Sequence, residues 1–252
     1  MSSPLSPRQM EAFHRDGFVL VPGLYSAAAV DEIAAWTDAL AGAPEWPGGA
    51  WMYFEPSLTD PGRRLLCRIE NFCPHHPGFH GLLTGALQDR VGELLGEPAV
   101  LFKDKINFKL PGGDGFKAHQ DVQAGWDAYA RLHVTALISI DAATPDNGCL
   151  ELAPGWHRRG RVGDAWRPLE GKDLDGMAFV ACPTRPGDVV FFDSFAPHRS
   201  GPNLTGRPRR VLYVTYNRRS EGDQRARYYA DKHRSYPPDC ERQPGREYVF
   251  RV

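Results

Sequence analysis

A chain of 252 residues, 42% hydrophobic and 24% charged, with a formal net charge of -1, has the composition of an ordinary globular protein. That charge balance excludes the broad field that would attract nucleic acid or an anionic membrane surface, and no apolar run reaches membrane-spanning length. The opening stretch MSSPLSPRQMEAFHRDG lacks the apolar region of a signal peptide, and the five cysteines stand at unrelated spacings. A cytoplasmic protein with free thiols and a small-molecule partner is expected, with no nucleic acid and no membrane; the sequence leaves the oligomeric state open.

The length suits one large domain over residues 1–252. Residues 1–98 read as mainly helical. Ser6 or Pro7 opens a helix through Arg15, which Asp16-Gly17 stops. FVLVPG, from Phe18 to Gly23, is a short strand ended by Pro-Gly. Ser26 caps a second helix with Val30, Ile33, Ala34 and Leu40 on one face, and a third covers Leu82 to Leu95, stopped by Gly96. From Ala99 the period changes. VLFKDKINFKL, LHVTALISID, GCLELAPG, DVVFFDSFAP and RRVLYVTYN are β-rich runs between turn residues, which predicts an antiparallel sandwich or barrel over 99–217. Residues 218–252 are polar, rich in Arg and Pro, and read as a surface tail.

Within GFKAHQDVQAGW, His119 and Asp121 stand two apart, so in a strand both would point to one side. A third ligand must come from elsewhere, and His198, following the strand DVVFFD, is the best placed of the nine histidines. Two histidines and one carboxylate with open positions form the facial triad of non-haem iron oxygenases. Taken alone, His-x-Asp is more often a chance pairing than a metal site. Arg209 opens the strand RVLYVTYN and could grip a carboxylate with its two-pronged guanidinium, although Arg207 and Arg210 compete for that role. Along FKDKINFK, Lys103, Lys105, Asn107 and Lys109 share one face while Phe102, Ile106 and Phe108 occupy the other, with Asp104 among them. On residues alone the lysines facing water is slightly favoured; facing inward, they would make a site for anions.

FHRDGFVLVPGLYS, INFKLPGGDGFKAHQD, NGCLELAPGWHRRG, PGDVVFFDSFAPHRSGPN and RPRRVLYVTYN, in this order, resemble the phytanoyl-CoA dioxygenase family of Fe(II)- and 2-oxoglutarate-dependent oxygenases, over nearly the whole chain. The resemblance implies a mainly β fold with flanking helices, built on a double-stranded β-helix (jelly-roll, cupin-like) core. It implies Fe(II), 2-oxoglutarate and O2 as cofactors, with His119, Asp121 and His198 as the iron ligands. Arg209 would hold the far carboxylate of 2-oxoglutarate, with Asn107 and Ser200 also touching it. By the same likeness Lys103 and Lys105 fall at substrate-facing positions. Within the family the chain looks most like hydroxylases of 2-aminoethylphosphonate and its N-methylated forms. A phosphonate would suit Lys103 and Lys105; an ammonium would suit Asp127, Tyr53, Trp126 or Trp51. The alternatives are the same chemistry on an amino acid or a natural-product intermediate, and a non-catalytic metal-binding module on the same scaffold.

Overall fold

The computed structural model describes residues 4–249; the outermost ends of the expected 1–252 domain lie outside the described residues. Helix α1 (Pro7–Asp16) starts where expected, because Ser6 Oγ accepts from Gln9 N at 3.3 Å and the Gln9 side chain accepts from Ser6 N at 2.8 Å. It stops at Gly17, whose φ of 83° is the left-handed conformation that a glycine tolerates. Strand β1 (Phe18–Val21) and helix α2 (Ala27–Gly42), capped by Ser26, follow as read.

The next stretch departs from the helical expectation. Trp51–Pro56 and Arg64–Glu70 form strands β2 and β3. β2 begins with three buried residues, Trp51, Met52 and Tyr53, so no in-out alternation marks it. The single helix expected over Leu82–Leu95 is two, α3 (Pro77–Thr84) and α4 (Ala86–Leu95). Gly85 sits at the break, where a Cβ would come within 2.7 Å of the Gly81 carbonyl oxygen.

The remaining strands are β4 (Ala99–Lys109), β5 (Phe116–His119), β6 (His133–Ser139), β7 (Leu150–Leu152), β8 (Val180–Cys182), β9 (Val189–Asp193), β10 (His198–Ser200) and β11 (Arg209–Arg218). They close a jelly-roll of two antiparallel sheets, a seven-stranded one in the order β1-β9-β6-β11-β4-β3-β2 and a four-stranded one in the order β5-β10-β7-β8. The helices cover the outer face of the large sheet. There Phe13, Ile33, Phe79, Leu83 and Val91 pack with Ile106, Phe108, Phe191, Leu212 and Val214 in one continuous apolar core. Each such side chain contributes about 1.5–3 kcal/mol by leaving water. Between the sheets, Leu137, Val190, Phe192 and Val211 meet Leu150, Leu152 and Cys182.

The alternation of β4 resolves accordingly. Ile106 and Phe108 lie in the helix-side core, and Lys103, Lys105, Asn107 and Lys109 point into the space between the sheets, so the water-facing reading of the lysines is overturned. A bulge opposite Thr215 and Tyr216 adds one residue to β4. It turns Phe102 away from the helix-side core into an aromatic cluster with Trp126 and Tyr228, while Leu101 stays with the helices.

The expected surface tail is also corrected. Arg225–Ser235 form helix α5, which buries Tyr228 and Tyr229 against Trp51, Tyr53 and Phe102. Ion pairs fix it: Arg225 with Asp104, and Lys232 with Glu70. The five cysteines are free thiols. No helix is long and apolar enough to cross a membrane among the described residues.

Candidate active site

His119 ends β5 and lies directly opposite His198 at the start of β10, with ring centroids 4.2 Å apart. Asp121 is beyond the strand, in the 3-10 turn Asp121–Ala124, so its orientation comes from the turn and not from the two-residue strand period the sequence suggested. Two buried glutamines hold that turn. Gln120 N donates to Gln123 Oε1 at 2.8 Å; Gln120 Nε2 donates to the Phe195 carbonyl at 2.6 Å, and Gln123 Nε2 to the Asp164 and Arg167 carbonyls at 2.8 Å each. One ligand atom from each of His119, Asp121 and His198 can be chosen so that all lie within 4.8 Å of one another.

The chemistry of these donors fits a divalent cation. His119 Nδ1 is 2.7 Å from the Lys117 carbonyl and His198 Nδ1 is 3.0 Å from the Ala196 carbonyl. A carbonyl can only accept, so each Nδ1 carries the proton and each Nε2 keeps its lone pair. Burial, then the neighbouring His198, brings the His119 imidazole down to about 3, and burial lowers His198 as well. Burial works to raise the Asp121 carboxyl, but His198, Lys105 and His119 outweigh it and hold the group ionised. Thr135 Oγ1 donates to Asp121 Oδ2 at 3.4 Å.

Deeper between the sheets lies Arg209, 1% exposed, with Nε and Nη1 lacking a hydrogen-bond partner. A buried guanidinium with unpaired N–H groups is costly unless an anion arrives. Asn107 is likewise buried, its Oδ1 unpartnered, and Ser200 Oγ accepts from Lys109 Nζ at 2.8 Å. Arg209, Asn107 and Ser200 therefore line one polar interior with the triad, and the pattern fits a ligand carrying a carboxylate.

On the other flank the sheet register stacks charges. Glu70 is opposite Lys105, which is opposite Tyr213 on the next strand; Arg68 is opposite Asn107. Glu70, 0% exposed, receives Arg68 at 3.2 Å, Lys103 at 3.7 Å and Lys232 from α5. Burial pushes the Glu70 carboxyl up, and the three cations overcome it to hold it well below the usual range. Lys105 makes no ion pair among the described residues, though Asp121 and Glu70 act on it from farther off. Its Nζ lies 4.5 Å from the Tyr213 ring centroid, and burial, then Lys103 and Arg68, bring it down to about 7. Four basic side chains thus gather round the buried Glu70 carboxylate beside the triad, and burial lowers Lys232 as it lowers Lys105. A cavity of about 550 Å³ opens there, lined by Tyr53, Cys67, Arg68, Phe116, His119 and Tyr236 among others.

Of the expected substrate residues, Tyr53 lines the cavity, its hydroxyl donating to the Tyr236 carbonyl at 3.1 Å. Trp126 is buried with its ring 5.5 Å from Lys103 Nζ. Trp51 packs edge-on against Tyr229. Asp127 does not face the site: it is exposed and paired with Arg161 at 3.0 Å, because the 3-10 turn Trp126–Ala128 turns it outward as Trp126 goes in. The sequence reading missed Arg68, Glu70, Tyr228 and Lys232. Arg68 and Glu70 share one face of β3, a signal passed over because the sequence reading placed no strand within 64–70. Tyr228, Tyr229 and Lys232 mark one side of α5 by their spacing.

A jelly-roll carrying two histidines and a carboxylate at the rim of its small sheet defines the class of non-haem iron oxygenases. The phytanoyl-CoA dioxygenase (PhyH) family matches residues 13–211. A 2-aminoethylphosphonate dioxygenase of Uncultured bacterium HF130_AEPn_1 is 40% identical over 98% of this chain and 94% of its own length. A methylphosphonate hydroxylase of Gimesia maris is 41% identical over 94% of this chain and 90% of its own. Among solved structures, EctD from S. alaskensis with 2-oxoglutarate and 5-hydroxyectoine aligns with a TM-score of 0.73 and 26% identity, over 87% of this chain and 78% of that one. The chain belongs to the phytanoyl-CoA dioxygenase family and is a dioxygenase of the iron- and 2-oxoglutarate-dependent type.

Proposed function

We propose that this dioxygenase hydroxylates the carbon next to phosphorus in a small alkylphosphonate, 2-aminoethylphosphonate or an N-methylated form of it. The observation that carries the reading is the buried basic cluster: Lys103 and Lys232 share the carboxylate of Glu70, and Lys105 beside them makes no ion pair among the described residues. A phosphonate dianion supplies the missing charge, which a neutral scaffold could not. Similarity to the two phosphonate enzymes supports the same class of substrate.

In this reading His119, Asp121 and His198 hold the iron, and Arg209, Asn107 and Ser200 hold 2-oxoglutarate. Iron and cosubstrate supply, when bound, the oxidising power to insert one oxygen of O2 into a C–H bond, the other oxygen leaving in succinate as CO2 is released. The protein's own work is placement. Lys103, Lys105 and Arg68 fix the phosphonate oxygens, so the carbon bonded to phosphorus is the one held nearest the triad. The aromatic side chains of Tyr53, Trp126 and Tyr228 enclose the site and exclude water. The amine end falls toward the cavity mouth, where Tyr53, Tyr236 and the carboxylate of Glu55 stand; Asp127, outside the site, has no part in it.

The test is Fe(II)-loaded protein with 2-oxoglutarate and O2, offered 2-aminoethylphosphonate, its mono-, di- and trimethylated forms, methylphosphonate, and several amino acids. Succinate is quantified beside phosphorus NMR of the products. One succinate per hydroxylated phosphonate is expected, and product from an amino acid alone would overturn the substrate.

A further inference from the structure

Lys109 and Arg209 are cross-strand partners on β4 and β11, so both side chains leave the same, inner face of the large sheet. Both are buried, at 3% and 1% exposure, and neither has an ion pair among the described residues. Lys109 Nζ donates to Ser200 Oγ at 2.8 Å and to the carbonyls of Gly201 and Gly148. The fold makes room for this. Gly148 has φ of 76°, and a Cβ there would come within 2.1 Å of the Gly201 oxygen and 2.9 Å of Lys109 Nζ.

A serine hydroxyl has one proton and two lone pairs, and an ammonium can only donate. With Lys109 donating to one lone pair of Ser200, the hydroxyl proton is left to point at another acceptor. Nothing in the described site accepts it, as nothing accepts from Arg209 Nε and Nη1. Two adjacent buried cations, each short of an anion, describe a pocket for more charge than one guanidinium needs.

We infer that Lys109 is a positioning residue and second cation of the 2-oxoglutarate site. Through Ser200 it directs a hydroxyl proton onto the same far carboxylate that Arg209 receives. The inference rests on the cosubstrate reading of Arg209. The groups acting on Lys109 are Arg209 from β11, Glu55 from β2, Asp114 from the loop after β4, and Cys149 before β7. Burial, then Arg209, draws its ammonium down to about 7, so an arriving carboxylate raises it again and binding takes up a proton above that pH. Affinity for 2-oxoglutarate therefore falls as the pH rises past neutrality.

The experiment is anaerobic calorimetry on Mn(II)-loaded protein with two probes: 2-oxoglutarate, and 2-oxobutyrate, which has the same chelating end and no far carboxylate. Lys109→Met is expected to weaken 2-oxoglutarate roughly ten- to a hundredfold, as for a lost charged hydrogen bond, and to leave 2-oxobutyrate unchanged. Ser200→Ala added to Lys109→Met should cost little more, and the loss of affinity between pH 7 and 9 should flatten in Lys109→Met. Equal weakening of both probes, or no weakening of 2-oxoglutarate, overturns the role of Lys109. Should Lys109→Met not fold, as read by its melting curve, Lys109→Gln and Ser200→Ala alone give the same comparison. Arg209→Met tests the underlying reading separately: if it leaves 2-oxoglutarate affinity intact, the cosubstrate assignment fails, whatever Lys109 does.

Discussion

The two faces of β4 and β11 bury their side chains equally well and to opposite ends. Outward, Ile106, Phe108, Leu212 and Val214 are sealed beneath the helices, and the fully buried charge there, Asp104, is fully served. It accepts from Phe72 N at 2.8 Å, from Cys73 N at 2.9 Å and from Tyr229 Oη at 3.1 Å, and it pairs with Arg225. Inward, Lys103, Lys105, Asn107, Lys109 and Arg209 are enclosed with too few acceptors, and Arg209 Nε and Nη1 and Asn107 Oδ1 are left open. A buried polar group that is satisfied ties segments together, whereas one that is unsatisfied waits for a ligand. The outward face offsets the cost of the inward one, and strand alternation lets eleven residues of β4 serve both.

Substitutions on the two faces should therefore separate activity from stability. The largest effect on turnover is expected for His119→Ala or Asp121→Ala. Each should abolish succinate release and metal retention, beyond the ~10–100-fold loss of an outer partner, with the melting temperature nearly kept. Turnover at the wild-type rate with metal still bound would remove that residue from the triad. On the helix-facing side, Phe191→Ala should cost about 3–5 kcal/mol of stability in chemical denaturation while turnover per folded molecule is retained. A specific loss of activity without loss of stability would contradict the division of labour.

Glu70→Gln tests the boundary between the two regimes, since it removes the carboxylate that Arg68, Lys103 and Lys232 share. Breaking a buried ion pair on one side costs about 3–5 kcal/mol, and added phosphonate should restore part of the lost melting temperature by supplying charge and binding the folded state. A variant as stable as the parent would mean the cations need no counter-charge. The smallest effect is expected from Lys105→Ala, whose Nζ makes no ion pair among the described residues. Substrate KM should rise roughly tenfold while succinate release uncoupled from product persists; an unmoved KM would take Lys105 out of the anion pocket.

Local signals survived the passage to three dimensions where the chain itself carried the cause. Ser6 with Gln9, Gly17, Ser26 and Gly96 mark helix ends because a cap is an interaction between near neighbours. Gly85, by contrast, split a helix whose apolar spacing ran straight through it, and β2 was hidden because three successive buried residues have no period to read. At the site, His119, Asp121 and His198 were legible as residue types, yet the turn that aims Asp121 depends on Gln120 and Gln123 gripping carbonyls at Gly160, Asp164, Arg167 and Phe195.

The sequence by itself determined the strand periodicity of the core and the helix caps, because each rests on interactions within a few residues, and it singled out the residue types of the candidate triad. Only the tertiary structure decided which face of β4 looks inward. Alternation marks two faces but gives neither a direction; that came from the helices choosing the apolar side and from α5 bringing Lys232 to Glu70 across the fold. The proposed anion pocket draws on basic side chains from β3, β4 and α5 that meet round Glu70, and no one of those segments reveals that alone.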